Sequence, residues 1–177
     1  MGRKQAMRYI STNNLIRQAQ APWQGTLLLL LFFGLFRPLW APVSPGWCKA
    51  HATMTVAANL SFGSFATTDI GLIDVNTAGA RSASGNVVLM GGTVSAGVFN
   101  LAGCPNSVFS VVLPPNTVIS SATSSMTIST FQSNPNGSGV LDAAGVGLLT
   151  LGGILNVGTA QPADVYTGTF TLELIFQ

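Results

Sequence analysis

Charged side chains are scarce in this sequence of 177 residues. They make up 7% of it, against about 25% in soluble domains, while hydrophobic residues reach an ordinary 47%. Polarity comes instead from Ser, Thr, Asn and 20 Gly, all neutral. Scarce charge with a normal apolar fraction excludes a charged disordered tail and a coiled coil. It also excludes nucleic-acid binding, which needs a clustered basic face to neutralise phosphates.

The few charges are unevenly placed. Arg3, Lys4, Arg8, Arg17, Arg37 and Lys49 precede position 50, as do Trp23, Trp40 and Trp47, and His51 follows directly. From Thr53 onward Lys, His and Trp are absent, and Arg81 stands against Asp69, Asp74, Asp142, Asp164 and Glu173. One basic residue against five acidic ones gives that part a net charge of −4. Two unlike sequences are joined end to end.

The first reads as an export signal. Residues 26–36 form an apolar run of eleven after a basic stretch, followed by Arg37-Pro38. A bilayer-spanning helix takes about 20 apolar residues and a signal-peptide core about 7–15. An uncleaved anchor extended through Leu39 to Val43 is the alternative, and Arg37 with the nearby prolines disfavours it. Ala50-His51-Ala52 supplies an A-x-A cleavage pattern. The n-region is long, which makes Met7 a second candidate start. Cleavage after Ala41 would leave Pro42 at the new terminus, so Ala52 is preferred. The expected organisation is a signal peptide over 1–52 and a single domain over 53–177, large enough for a core. Cleavage after Ala52 leaves Cys104 alone; earlier cleavage lets Cys48 and Cys104 pair in an oxidising compartment.

The second part reads as all-β. From Tyr166 the sequence alternates, with Tyr166, Gly168, Phe170, Leu172, Leu174 and Phe176 on one face and Thr167, Thr169, Thr171, Glu173, Ile175 and Gln177 on the other. Period-2 patterning with Thr on the wet face marks a half-buried strand. Met54, Val56, Ala58, Leu60 and Phe62 alternate in the same way. Asn86–Met90 and Val94–Leu101 read as a hairpin around Gly91-Gly92, and Gly147–Leu151 and Ile154–Val157 as another around Gly152-Gly153. Val108–Leu113 is stopped by Pro114-Pro115, which donate no ladder hydrogen bond. Ser125–Gln132 alternates Met126, Ile128 and Thr130 against Ser and Thr, and Asn134–Gly139 is turn chemistry. No stretch carries a helical period. About seven to nine short strands at this spacing predict an antiparallel β-sandwich.

Enzyme readings fail on inventory. Without His or Lys after Thr53, neither a Ser-His-Asp nor a Cys-His arrangement can be assembled. One Cys makes no zinc or copper cluster. Asp69 and Asp74, the nearest carboxylate pair, make a poor glycosidase pair across a cleft, and Asp74 with Asn76 offers too few oxygens for calcium. They read as turn and solubility residues, as do Asp142 and Asp164. Gly145-Val146-Gly147 and Gly152-Gly153 lack the GK[ST] of a phosphate loop. No catalytic, cofactor or metal residue is assigned, and no cofactor is expected.

A structural role remains. Leu60-Ser-Phe-Gly63, Gly79–Gly85, Phe99–Gly103, Phe109–Pro114, Met126–Phe131, Leu149–Gly153 and Tyr166–Leu172, in that order and spacing, resemble the bacterial secreted family called domain of unknown function 4402. The resemblance covers residues 55–177. It implies a pilin-like or spore-coat-like, immunoglobulin-like sandwich, exported to the periplasm or surface of a Gram-negative bacterium and assembled by a periplasmic chaperone and usher. In such subunits a neighbour's N-terminal strand fills a groove by strand addition. The expected plugging face is Met54, Val56, Ala58 and Leu60, and the expected assembly strand carries Tyr166, Gly168, Phe170, Leu172, Leu174 and Phe176. Cleavage after Ala52 leaves only seven residues before Leu60, about 23 Å of extended chain. Either the cleavage is earlier, or residues 54–62 are the first strand of a self-complete monomer. The function expected is therefore a secreted fibre or coat subunit that associates with itself or with other surface subunits and meets the membrane only during export. The alternative is a monomeric binding module for carbohydrate, which the lack of Trp disfavours.

Overall fold

The computed structural model describes Gln5–Ile10 and residues 52–177, so the signal-peptide reading lies almost wholly outside the described residues. In chain order the strands are β1 (Gln5–Ile10), β2 (Thr53–Ala58), β3 (Ser61–Phe62), β4 (Phe65–Val75), β5 (Arg81–Leu89), β6 (Val94–Ser95) and β7 (Gly97–Ala102). They continue with β8 (Val108–Val112), β9 (Thr117–Ser120), β10 (Ser125–Asn134), β11 (Ser138–Val140), β12 (Val146–Val157) and β13 (Thr171–Phe176). Twelve strands thus lie between Thr53 and Phe176, more than sequence spacing suggests, and no helix occurs among the described residues. All strand pairs are antiparallel.

Two sheets enclose one core. The larger runs β2-β7-β12-β10-β9, with the β4–β5 hairpin joined to β12; the smaller runs β1-β13-β8-β11. The alternation anticipated for the C-terminus is realised in β13, where Leu172, Leu174 and Phe176 are buried against Phe109 and Val111 of β8 and the inner face of the larger sheet. Phe109 and Phe176 meet at a ring-centroid distance of 5.9 Å, the tilted geometry aromatic pairs favour.

Three sequence expectations are corrected. Gly152-Gly153 is no hairpin turn: it lies inside the twelve-residue β12, where that strand exchanges β7 for β4 as its neighbour. Gly152 admits the end of β4, since a Cβ there would lie 2.3 Å from the Val75 carbonyl oxygen. Gly91-Gly92 does not pair its flanks either, because β5 pairs with β4 and β7 with β2 and β12. It folds back on Ser64 instead, through Met90 N–H to Ser64 O and Ser64 N–H to Gly91 O, both 2.9 Å. In β10 a bulge between Ser129 and Gln132, with Thr130 at φ 51°, shifts the phase of the strand. Phe131, rather than Thr130, follows Met126 and Ile128 into the core.

Candidate functional site

β13 lies between β8 and β1 in the smaller sheet. On one side it pairs with β8, with Leu174 opposite Val111 and Phe176 opposite Phe109. On the other side nothing from residues 52–177 reaches it, and its partner is β1, in a register from Gln5 opposite Phe176 to Ile10 opposite Thr171. The same register places Arg8 opposite Glu173. The edge carries six residues of ladder, long enough to template a strand.

Before Thr171 the chain leaves this sheet. Tyr166–Phe170, expected as the start of the same strand, instead crosses to β9, where Thr167 and Ser120 exchange hydrogen bonds of 3.0 and 2.8 Å. Gly168 permits that approach, since a Cβ on it would lie 2.6 Å from the Val118 carbonyl oxygen. Gln161 ties down the other end of the crossing, donating to the Ser125 carbonyl at 2.8 Å and accepting from the Ser124 hydroxyl at 2.5 Å. Tyr166 donates its hydroxyl to the Pro162 carbonyl at 2.8 Å. Tyr166, Gly168 and Phe170 therefore border a cavity, while Leu172, Leu174 and Phe176 form the inner face of β13.

That cavity, of about 990 Å³, lies between the larger sheet and the segments 59–67 and 161–170, beside the beginning of β13. Val56, Phe62, Phe99, Ile128, Leu155 and Phe170 are among its apolar walls. The anticipated plugging face also points here: Met54 is buried in the core, and Val56, Ala58 and Leu60 line the cavity. In this structure they belong to the chain's own fold, because β2 pairs with β7 from Thr53 opposite Ala102 to Ala58 opposite Val98.

The cavity wall rests on a residue that pattern reading passed over. Arg81 donates to the carbonyl oxygens of Phe62 at 2.7 Å, Ser64 at 3.1 Å and Met90 at 2.5 Å, stapling β3 and the Gly91-Gly92 turn to the start of β5. Its signal in the sequence was its solitude as the one basic residue after Thr53.

The carboxylates do not converge on a reactive centre. Asp142 Oδ1 accepts from the amides of Ala144 and Val146, both at 2.9 Å, a turn-capping role. Asp164 accepts from Val165 N–H at 2.8 Å. Asp69 and Asp74 sit within β4 rather than in a loop: Asp69 accepts from Ile70 N–H and Thr159 Oγ1, and Asp74 keeps a buried Oδ1 with no partner among the described residues. No group of three His, Cys, Asp or Glu able to hold a metal occurs among the described residues.

The family model described as Domain of unknown function (DUF4402) matches residues 52–176. The chain belongs to this family. The match begins one residue before β2 and ends with β13, so the DUF4402 unit holds all of the larger sheet and β13, β8 and β11 of the smaller one, and leaves β1 outside it. No curated protein and no solved structure matches the chain.

Proposed function

We propose that this DUF4402 protein is an exported structural subunit of a bacterial surface fibre or coat, a pilin-like and immunoglobulin-like sandwich that joins its neighbours by accepting a strand on the outer edge of β13. One observation carries the reading: the strand that occupies that edge, β1, comes from outside the family unit.

Export turns this into a vacancy. A basic n-region stays on the cytoplasmic side while the segment after the apolar core crosses. On the leader reading, β1 and β13 are thus parted in the exported protein. The edge then presents unpaired N–H and C=O groups beside an apolar cavity, a combination that natural folds cover, blunt or pair. The scarcity of gatekeeping charges on the strands favours pairing. The periplasm or cell surface is the compartment this role requires, with a chaperone and usher as helpers in assembly.

The test is export of the full gene product in a bacterial host, followed by intact mass and size-exclusion chromatography. The mass fixes the mature N-terminus, and elution reports assembly. Ladders of multimers are the expected result. A stable monomer starting at Thr53 would sink strand exchange and leave a self-complete domain.

A further inference from the structure

We infer that β5 is a second assembly edge, which pairs antiparallel with β5 of a second copy across a two-fold axis through Val88. It uses an edge other than that of β13, and it stands or falls separately from the strand acceptor proposed there.

The β4–β5 hairpin outruns the sheet that holds it. β4 pairs with β12 only from Gly71 to Val75, while the hairpin continues to Phe65 opposite Leu89. Its outer part is a ribbon of two strands, whereas a sheet gains independent stability from a third. Among the described residues β5 has no neighbour on its other side. Natural edges are guarded by charge or proline, and neither occurs from Ser82 to Val94. Gly85, at φ 76°, departs from strand geometry just before the stretch in question. Exposed apolar side chains gather here instead: Ile70, Leu72, Val88, Leu89 and Met90 all belong to this hairpin or adjoin it, and Val88 is 67% exposed. The other edges lack this combination. β11 has three residues, β9 is bridged to Thr167 at Ser120, and in β2 Met54 and Val56 turn inwards.

The phase of the ladder sets the register. The Ser84 carbonyl and the Asn86 amide lie against Gly71 of β4, and Met90 donates to the Ser64 carbonyl at 2.9 Å. Even-numbered residues thus turn their backbone groups towards β4, and Val87 and Leu89 turn theirs outwards. An antiparallel partner bonds outward groups to outward groups. A two-fold axis through Val88 sets Val87 of each copy opposite Leu89 of the other, as two hydrogen-bonded pairs. Val88 then meets its own counterpart in the closely spaced position between them. Apolar side chains face apolar ones, and no like charges are brought together. The strand is therefore complementary to itself in this register, and such an isologous contact closes after two copies. Four main-chain bonds make a weak contact. Subunits already lined up in a fibre meet it repeatedly and at high effective concentration, which joins two fibres side by side.

Cysteine capture in the exported protein tests this. Val88→Cys sets two cysteine Cα atoms about 4.5 Å apart across the axis, within disulfide reach. Leu72→Cys is exposed on the same hairpin but lies away from the axis. Under mild oxidation of concentrated protein, Val88→Cys is expected to give a covalent dimer well above the Leu72→Cys background; Cys104 is common to both. Val88→Lys brings two ammonium groups face to face. The urea midpoint of this variant should match that of the parent, because Val88 is exposed. The concentration at which its species halve in mass on dilution should rise about tenfold. Equal cross-linking of the two cysteine variants, capture of a different protein by Val88→Cys, or no effect of Val88→Lys on dilution would each overturn the inference. Should Val88→Lys lower the urea midpoint, the two cysteine variants decide alone. Multimers that survive Val88→Lys, with no selective cross-link, would leave strand acceptance at β13 standing and refute only this inference. A selective cross-link in a protein that forms nothing larger than a dimer would do the reverse.

Discussion

Gly152 faces the end of β4 so closely that a Cβ on it would lie 2.3 Å from the carbonyl oxygen of Val75. The contact marks where β12 passes from β7 to β4, and it ties a mid-strand glycine to the continuity of the larger sheet. Gly152→Ala is expected to cost about 2–3 kcal/mol, as forced overpacking against backbone does. Gly91 has nothing within 4 Å of its would-be Cβ, and Gly91→Ala should stay within about 0.5 kcal/mol of the parent. Urea unfolding of both variants checks the contrast, and equal effects would contradict the partner switch.

Arg81 joins three carbonyl oxygens from two segments, Phe62 and Ser64 in one and Met90 in the other, and its removal leaves them to water or to nothing. Arg81→Ala should lower stability by about 1–3 kcal/mol, discounted from the buried-charge range because the side chain is half-exposed. Arg81→Lys, with a compact ammonium in place of a planar fork, should recover only part of that loss. Thermal unfolding of the pair decides.

How much of this was legible in the sequence differs from element to element. β13 was readable because Leu172, Leu174 and Phe176 have one wet and one dry face, so that period and burial coincide. Its early half was not, because Tyr166–Phe170 keeps the same alternation while crossing to β9, and nothing local distinguishes a strand from an extended crossing. Gly-Gly pairs mislead for a similar reason: the dipeptide permits a turn, but Gly152 is needed for a close approach that only the folded sheet creates. The β4–β5 hairpin escaped notice because β5 is almost wholly exposed and carries no alternation. Of the candidate site, the apolar faces of β2 and β13 could be read from sequence; that the outer edge of β13 meets only β1 could not, since it depends on which strands pair.

The core of β13 should be as costly to disturb as its burial implies. Leu174 is fully buried, and Leu174→Ala is expected to lose about 2–5 kcal/mol. Ile175, on the opposite face of the strand, is only partly buried, and Ile175→Thr should lose far less. Chemical denaturation of both variants measures the difference.

Filling the cavity should separate folding from assembly. Ala58 lines it, and Ala58→Phe puts bulk where an incoming side chain is expected to sit. The variant should fold with stability near that of the parent, yet its exported product should shift from multimers to monomer on size exclusion.

The central claim, that the outer edge of β13 takes a strand from another molecule, is tested most directly by amide hydrogen exchange over Thr171–Phe176 in the exported protein. Amides on the β8 side should be slow in every form. Those on the outer side should be slow in the assembled fraction and fast in monomer freed by dilution. Outer amides that exchange fast within assemblies, or that stay slow in a monomer starting at Thr53, would contradict the account.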